Sequence, residues 1–154
     1  MRKGFTLIEL LVVIGIIVVL MGVVIVAVNP VRQFAQANNS RRRSNVVTIL
    51  NAVSQNIIEN GGKWSCSAGD LPTTTPKNMA DPTSDPQGYD ICSCLVPRYL
   101  PEIPVDPTAG SYTDCSNYNS GYTIIQDPTT GRVTVSAPHA QSEDGAPPVI
   151  SVTQ

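Results

Sequence analysis

Aromatic side chains are scarce: 154 residues hold one tryptophan, two phenylalanines and five tyrosines. So small a stock implies a modest core and gives no basis for electron conduction along stacked rings. Histidine is scarcer still. The single copy, His139, sits in a Pro-His-Ala segment with no nucleophile motif around it, and H-E-x-x-H, G-x-S-x-G and a phosphate-cradling glycine loop are all missing. The chain is expected not to be an enzyme. Charge is thin as well, at 14% Asp, Glu, Lys and Arg with a formal net charge of −2. That balance lacks the basic excess of a general nucleic-acid binder, so nucleic acid is an unlikely partner.

What the chain does have in excess lies at its start. A short basic leader, Arg2 and Lys3, ends at Gly4, and an apolar stretch from Phe5 to Val28 follows, interrupted in polarity only by Thr6 and Glu9. As a helix that stretch would be ~36 Å long, enough to cross a hydrocarbon layer of ~30 Å. Backbone groups in lipid must satisfy one another, so a single membrane-spanning helix is expected. Arg2 and Lys3 keep the leader cytoplasmic and send the rest outward. A carboxylate at Glu9, five positions into the apolar run, costs on the order of 2–3 kcal/mol unless it finds a partner. A free amino terminus made by cutting the chain nearby is the best candidate. An ordinary secretory signal would need a shorter apolar core and a small-residue cleavage site, which Val26-Ala27-Val28-Asn29-Pro30 does not supply cleanly. A plain signal anchor explains the length, but not Gly4, Phe5 and Glu9 together.

The run Lys3-Gly4-Phe5-Thr6-Leu7-Ile8-Glu9-Leu10-Leu11-Val12 resembles the prepilin signal of type IV pilins and of the pseudopilins of type II secretion. The resemblance implies cleavage of the Gly4–Phe5 bond by a membrane peptidase, N-methylation of Phe5, and Glu9 as the assembly residue. It further implies a homo-oligomeric filament driven by an inner-membrane platform and an ATPase. A second run, Val96-Pro97-Arg98-Tyr99-Leu100-Pro101-Glu102-Ile103-Pro104-Val105-Asp106-Pro107, is similar to the proline-stiffened connector between helix and sheet in major pseudopilins and related pilins. Major pseudopilins also bind calcium near their sheet. Here Asp106, Asp114 and Asp127 are scattered, two of them precede proline, and no D-x-D-x-D-G loop is present, so they read as turn residues and no metal ligand is assigned.

The remaining chain divides as residues 1–4 leader, 5–28 membrane and filament-core helix, 29–62 amphipathic continuation, and 63–154 loop-rich head. Asn29-Pro30 should interrupt the helix. The stretch from Gly22 to Pro30 is expected to be the deformable part. From Val31 to Asn60 the helix resumes. Val46, Val47, Ile49, Leu50, Val53, Ile57 and Ile58 recur at three- and four-residue spacings as a face for a sheet, and Asn60-Gly61-Gly62 is the stop. Arg41-Arg42-Arg43 reads as a solvated or intersubunit-paired face rather than a phosphate site.

Lys63 to Gly121 is proline-rich, so long helices are not expected there, and Ile91–Leu100 reads as one helical turn or an irregular loop. Cys66, Cys92, Cys94 and Cys115 are expected to form two disulfides outside the membrane, either 66–92 with 94–115 or 66–94 with 92–115. Zinc is disfavoured because paired C-x₂-C knuckles are missing. Tyr122–Gln126 and Arg132–Ser136 read as a hairpin, with a third strand from Tyr112–Asn119 or Val149–Val152.

The expected fold is therefore α+β and pilin-like: a long N-terminal helix, its first half in the membrane, packed on a small antiparallel sheet. The expected function is that of a structural subunit of a type IV pilus-like filament. The alternatives are a major pseudopilin, or a membrane-anchored binding domain that never polymerises. The protein would wait in the inner membrane as a single-pass protein and then enter an extracellular filament or periplasmic pseudopilus.

Overall fold

The computed structural model describes residues 4–154, with backbone only at 25–28. The basic residues Arg2 and Lys3 of the expected leader lie outside the described residues. Helix α1 spans Leu7–Val28 and helix α2 spans Pro30–Glu59. The break falls at Asn29, which adopts the left-handed conformation at φ 42° and serves as C-cap of α1 and N-cap of α2. Asparagine tolerates that region better than most residues, and Pro30, lacking an N–H, is well suited to the first position of a new helix. The helix stays unbroken from Gly22 to Val28 in the single chain.

Helix α2 ends in a Schellman arrangement. Gly62 N–H donates to Ile57 C=O at 2.8 Å and Gly61 N–H to Ile58 C=O at 3.3 Å. Both glycines have positive φ, which side chains resist. The buried stripe of α2 runs through Ala35, Asn39, Arg42, Val46, Ile49, Leu50, Val53 and Asn56. Two members of the apolar face read from sequence fall outside it: Val47 is 42% exposed and Ile58 73% exposed. Each follows a core-facing neighbour by one residue, and about 100° of helical rotation carries it toward solvent.

The head holds one five-stranded antiparallel sheet: β1 Lys77–Ala80, β2 Ser111–Asp114, β3 Asn117–Gln126, β4 Val133–Ser136 and β5 Ser151–Thr153. The ten-residue β3 is its spine. Asn119 pairs with both Ala80 of β1 and Ser111 of β2, so those strands flank opposite edges. Strand β4 pairs with the later part of β3 from Thr123 to Gln126, and β5 pairs outside β4. Both candidates for a third strand thus contribute: β2 overlaps the first at Tyr112–Asp114, and β5 overlaps the second at Ser151–Val152. Strand β1 emerges from the proline-rich region, where long helices were not expected and no strand was placed at Lys77–Ala80. Of the two readings of Ile91–Leu100, a helical turn is present as α3, Cys92–Leu95.

Val46, Ile49, Leu50 and Val53 of α2 pack with Tyr118, Tyr122 and Ile124 of β3 and with Val133 and Val135 of β4. Burying each aliphatic side chain contributes roughly 1.5–3 kcal/mol. The architecture is a long apolar N-terminal helix followed by a second helix and an antiparallel sheet, the α+β pilin-like arrangement expected.

Candidate functional site

The Gly4–Phe5 bond precedes the first helical residue, and Phe5 is 86% exposed. Thr6 then caps α1. Its hydroxyl oxygen accepts from Glu9 N–H at 3.3 Å, while one Glu9 carboxylate oxygen accepts from Thr6 N–H at 2.8 Å and from the Thr6 hydroxyl at 2.7 Å. This is a capping box, and the T-x-x-E spacing of Thr6 and Glu9 announces it in the sequence. The sequence reading gave Glu9 a free amino terminus as its partner; within one chain Thr6 already supplies two donors to it.

Beyond this cap, α1 is apolar on every side. Leu7–Val24 has a mean hydropathy of 3.1 and buries none of its side chains in the molecule. A helix that is apolar all round requires apolar surroundings, which lipid or other helices can provide.

The cysteines pair as Cys66–Cys94 and Cys92–Cys115. One bridge ties the loop after α2 to α3, and the other ties α3 to the turn between β2 and β3. Of the two patterns left open by the sequence, this is the one present.

The arginine run does not behave as one patch. Arg41 faces solvent, and Arg43 lies 3.7 Å from Glu143 at the surface. Arg42 is fully buried, contrary to the expected solvated or intersubunit-paired face. Its Nε donates to Asp106 Oδ2 at 2.6 Å and one terminal nitrogen to Asp106 Oδ1 at 3.0 Å. The other terminal nitrogen donates to Asn39 Oδ1 at 2.9 Å. The cause is helical register, since Arg42 lies four residues before Val46 and three after Asn39 on the buried stripe. Extending that stripe backward would have found it. Burial alone would push the Asp106 carboxyl up. The Arg42 hydrogen bonds, with those from the Thr108 amide and hydroxyl, outweigh it and hold the group below the usual carboxylate range.

Asp106 belongs to a turn used three times. Asp81, Asp106 and Asp127 each precede Pro-Thr, and each Oδ1 accepts from the backbone N–H groups two and three residues ahead. Asp114 Oδ1 similarly accepts from Ser116 N–H at 2.7 Å. The three aspartates weighed for calcium are thus turn-forming residues, as expected. Among the described residues no three His, Cys, Asp or Glu side chains gather as a metal set. His139 is exposed beyond β4.

A capped, all-round apolar helix with a lone carboxylate in its first turn, followed by a disulfide-tied head, is consistent with a protein anchored in a membrane by its first helix. More specifically, residues 1–25 match the prokaryotic N-terminal methylation motif, the prepilin-type cleavage and methylation signal of type IV pilins and pseudopilins. Proteins with this motif are structural rather than catalytic, and the motif implies peptidase processing and filament assembly in general terms. No curated protein and no solved structure matches the chain.

Proposed function

We propose that this chain is a structural subunit of a type IV pilus-like filament. The observation that carries the reading is the prepilin-type motif at residues 1–25, which runs into an apolar helix with no partner in its own molecule. Before assembly, the helix anchors the protein in the inner membrane with the head outside, and the Thr6 cap satisfies part of the Glu9 carboxylate. A prepilin peptidase cuts between Gly4 and Phe5 and methylates the new amine. On assembly, by an inner-membrane platform and its ATPase, the helices exchange lipid for one another. Glu9 then pairs with the Phe5 amine of a neighbouring subunit, so that neither charge is left alone in an apolar core. The segment from Gly22 to Pro30 unwinds when subunits pack, and a filament map with unbroken helix there would remove that element of the proposal.

A major pseudopilin is the second reading, favoured by the proline-stiffened run from Val96 to Pro107. A membrane-anchored binding domain would be processed without polymerising. Intact-mass and peptide mass spectrometry of the protein from its own cells is the first test. The expected product begins at N-methylated Phe5; an uncut Met1 terminus beside an active peptidase would overturn the reading. Electron microscopy of sheared material then distinguishes long pili from a short pseudopilus or none. Glu9→Ala is expected to be processed normally yet to reduce filament yield by ~10-fold or more, given the cost of an unpaired buried amine. Normal filaments from that variant would refute the pairing.

A further inference from the structure

At the end of α2 remote from the membrane helix, ~45 Å along it by helical rise, an open cleft of about 690 Å³ lies between the loop after α2 and the β3–β4 turn. That volume is within the range of small-molecule sites. The chain's single tryptophan, Trp64, lines it half-buried. Its indole is fixed: Nε1–H donates to the Tyr89 hydroxyl at 2.8 Å, which donates to Gly69 C=O at 2.8 Å. Burial pushes the Tyr89 hydroxyl up from its ordinary value.

The cleft is also lined by Lys63, Asp70, Gln126, Asp127 and Thr130, a mixture of donors and acceptors. Gln126 spends its amide on Gly131 C=O at 2.9 Å, leaving its carbonyl oxygen open. Asp127 Oδ1 accepts from the Thr129 and Thr130 amides, and these bonds, with one from the Thr130 side chain and the nearby Arg132 charge, hold its carboxyl below the usual range. Two carboxylates against one amine disfavour phosphate or another polyanion. The polar rim disfavours a wholly apolar ligand. What satisfies both is a molecule with one flat C–H face for an indole and hydroxyls around its edge, each able to donate and accept.

We propose that this cleft is a carbohydrate-binding site for a neutral oligosaccharide, with Trp64 as the stacking platform and Asp70, Gln126 and Asp127 as acceptors for ring hydroxyls. The proposal concerns the head alone and stands apart from the filament reading.

Because Trp64 is the only tryptophan, its emission reports on the cleft directly. The full chain, held in a detergent without a sugar headgroup, would be titrated with maltohexaose, cellohexaose and chitohexaose, and with inorganic phosphate as a control. A saturable emission change with at least one sugar is expected, weakened ~10-fold by Asp70→Asn or Gln126→Ala, which corresponds to ~1.4 kcal/mol. Both positions lie at the rim, and thermal unfolding would confirm that the variants remain folded. Calorimetry on Trp64→Phe and Trp64→Ala is expected to show weaker binding for the smaller ring and none without it. No response to any of the three sugars at millimolar concentration would overturn the proposal. So would a response that neither rim substitution alters, or one that phosphate reproduces.

Discussion

Arg42 is a charge with no water around it, and its value depends on Asp106 remaining ionised. Taking either partner away leaves the other buried and unpaired, which typically costs ~3–5 kcal/mol. Arg42→Met and Asp106→Asn should each lower the urea midpoint of the head by that order. Replacing both with apolar residues of similar volume should recover much of the loss, as a double-mutant cycle would show. The pair also sets an acid limit. The folded Asp106 carboxyl is held below its ordinary value, so its contribution is full above the usual carboxylate range and disappears as pH falls from there through the depressed folded value. Asp81 adds to this in the same direction: hydrogen bonds from the Ser84 and Thr83 hydroxyls hold its carboxyl far below the usual range. Thermal unfolding followed from neutral pH downward should therefore show falling stability, with a shallower slope in Asp106→Asn. Equal slopes would mean that the pair does not carry the pH dependence. Sequence reading took Asp106 as a turn residue before proline and did not single out Asp81. It missed that Asp106 also meets an arginine 64 residues earlier, because nothing local in either segment encodes the other.

At the scale of the element, α2 separates adjacent residues that look alike. Val46 is fully buried between helix and sheet, whereas its neighbour Val47 is 42% exposed. Val46→Ala should destabilise the head by ~1–3 kcal/mol, from lost transfer energy and the cavity left behind, and Val47→Ala by ~0.5 kcal/mol or less. Chemical denaturation of the two variants side by side checks the register of the whole helix; equal losses would contradict it. The helix stop is similarly local. Gly62 sits at φ +87° with its N–H on Ile57 C=O, and a Cβ there would meet no neighbour. Gly62→Ala should therefore cost only the backbone penalty, on the order of 1–2 kcal/mol. Turn and cap chemistry of this kind is legible because its causes lie within four residues. The Asn60-Gly61-Gly62 stop, the Asn29-Pro30 break and the third-strand candidates could all be read that way. Strand β1 could not, since Lys77–Ala80 has no alternation of its own and is a strand only because β3 lies beside it.

The molecule as a whole has two parts with different sources of order. Helix α1 depends on its surroundings, while the head is tied by two bridges across separations of 28 and 23 residues. Removing either bridge as a pair, Cys66→Ser with Cys94→Ser or Cys92→Ser with Cys115→Ser, should cost ~2–4 kcal/mol through the freer unfolded chain. Non-reducing peptide mapping should find the 66–94 and 92–115 linkages; a 66–92 linkage would contradict the arrangement around α3. The sequence by itself determined the membrane helix, the processing signal, the helix breaks and the presence of an antiparallel head. Those features follow from contiguous hydropathy, short motifs and local backbone preference. Only the tertiary structure decided which cysteines pair, that Arg42 turns inward to Asp106, and that Trp64 lines one cleft with the β3–β4 turn. Each of those joins segments far apart in the chain, and their encounter depends on how α2 packs across the sheet rather than on any residue's neighbours in sequence.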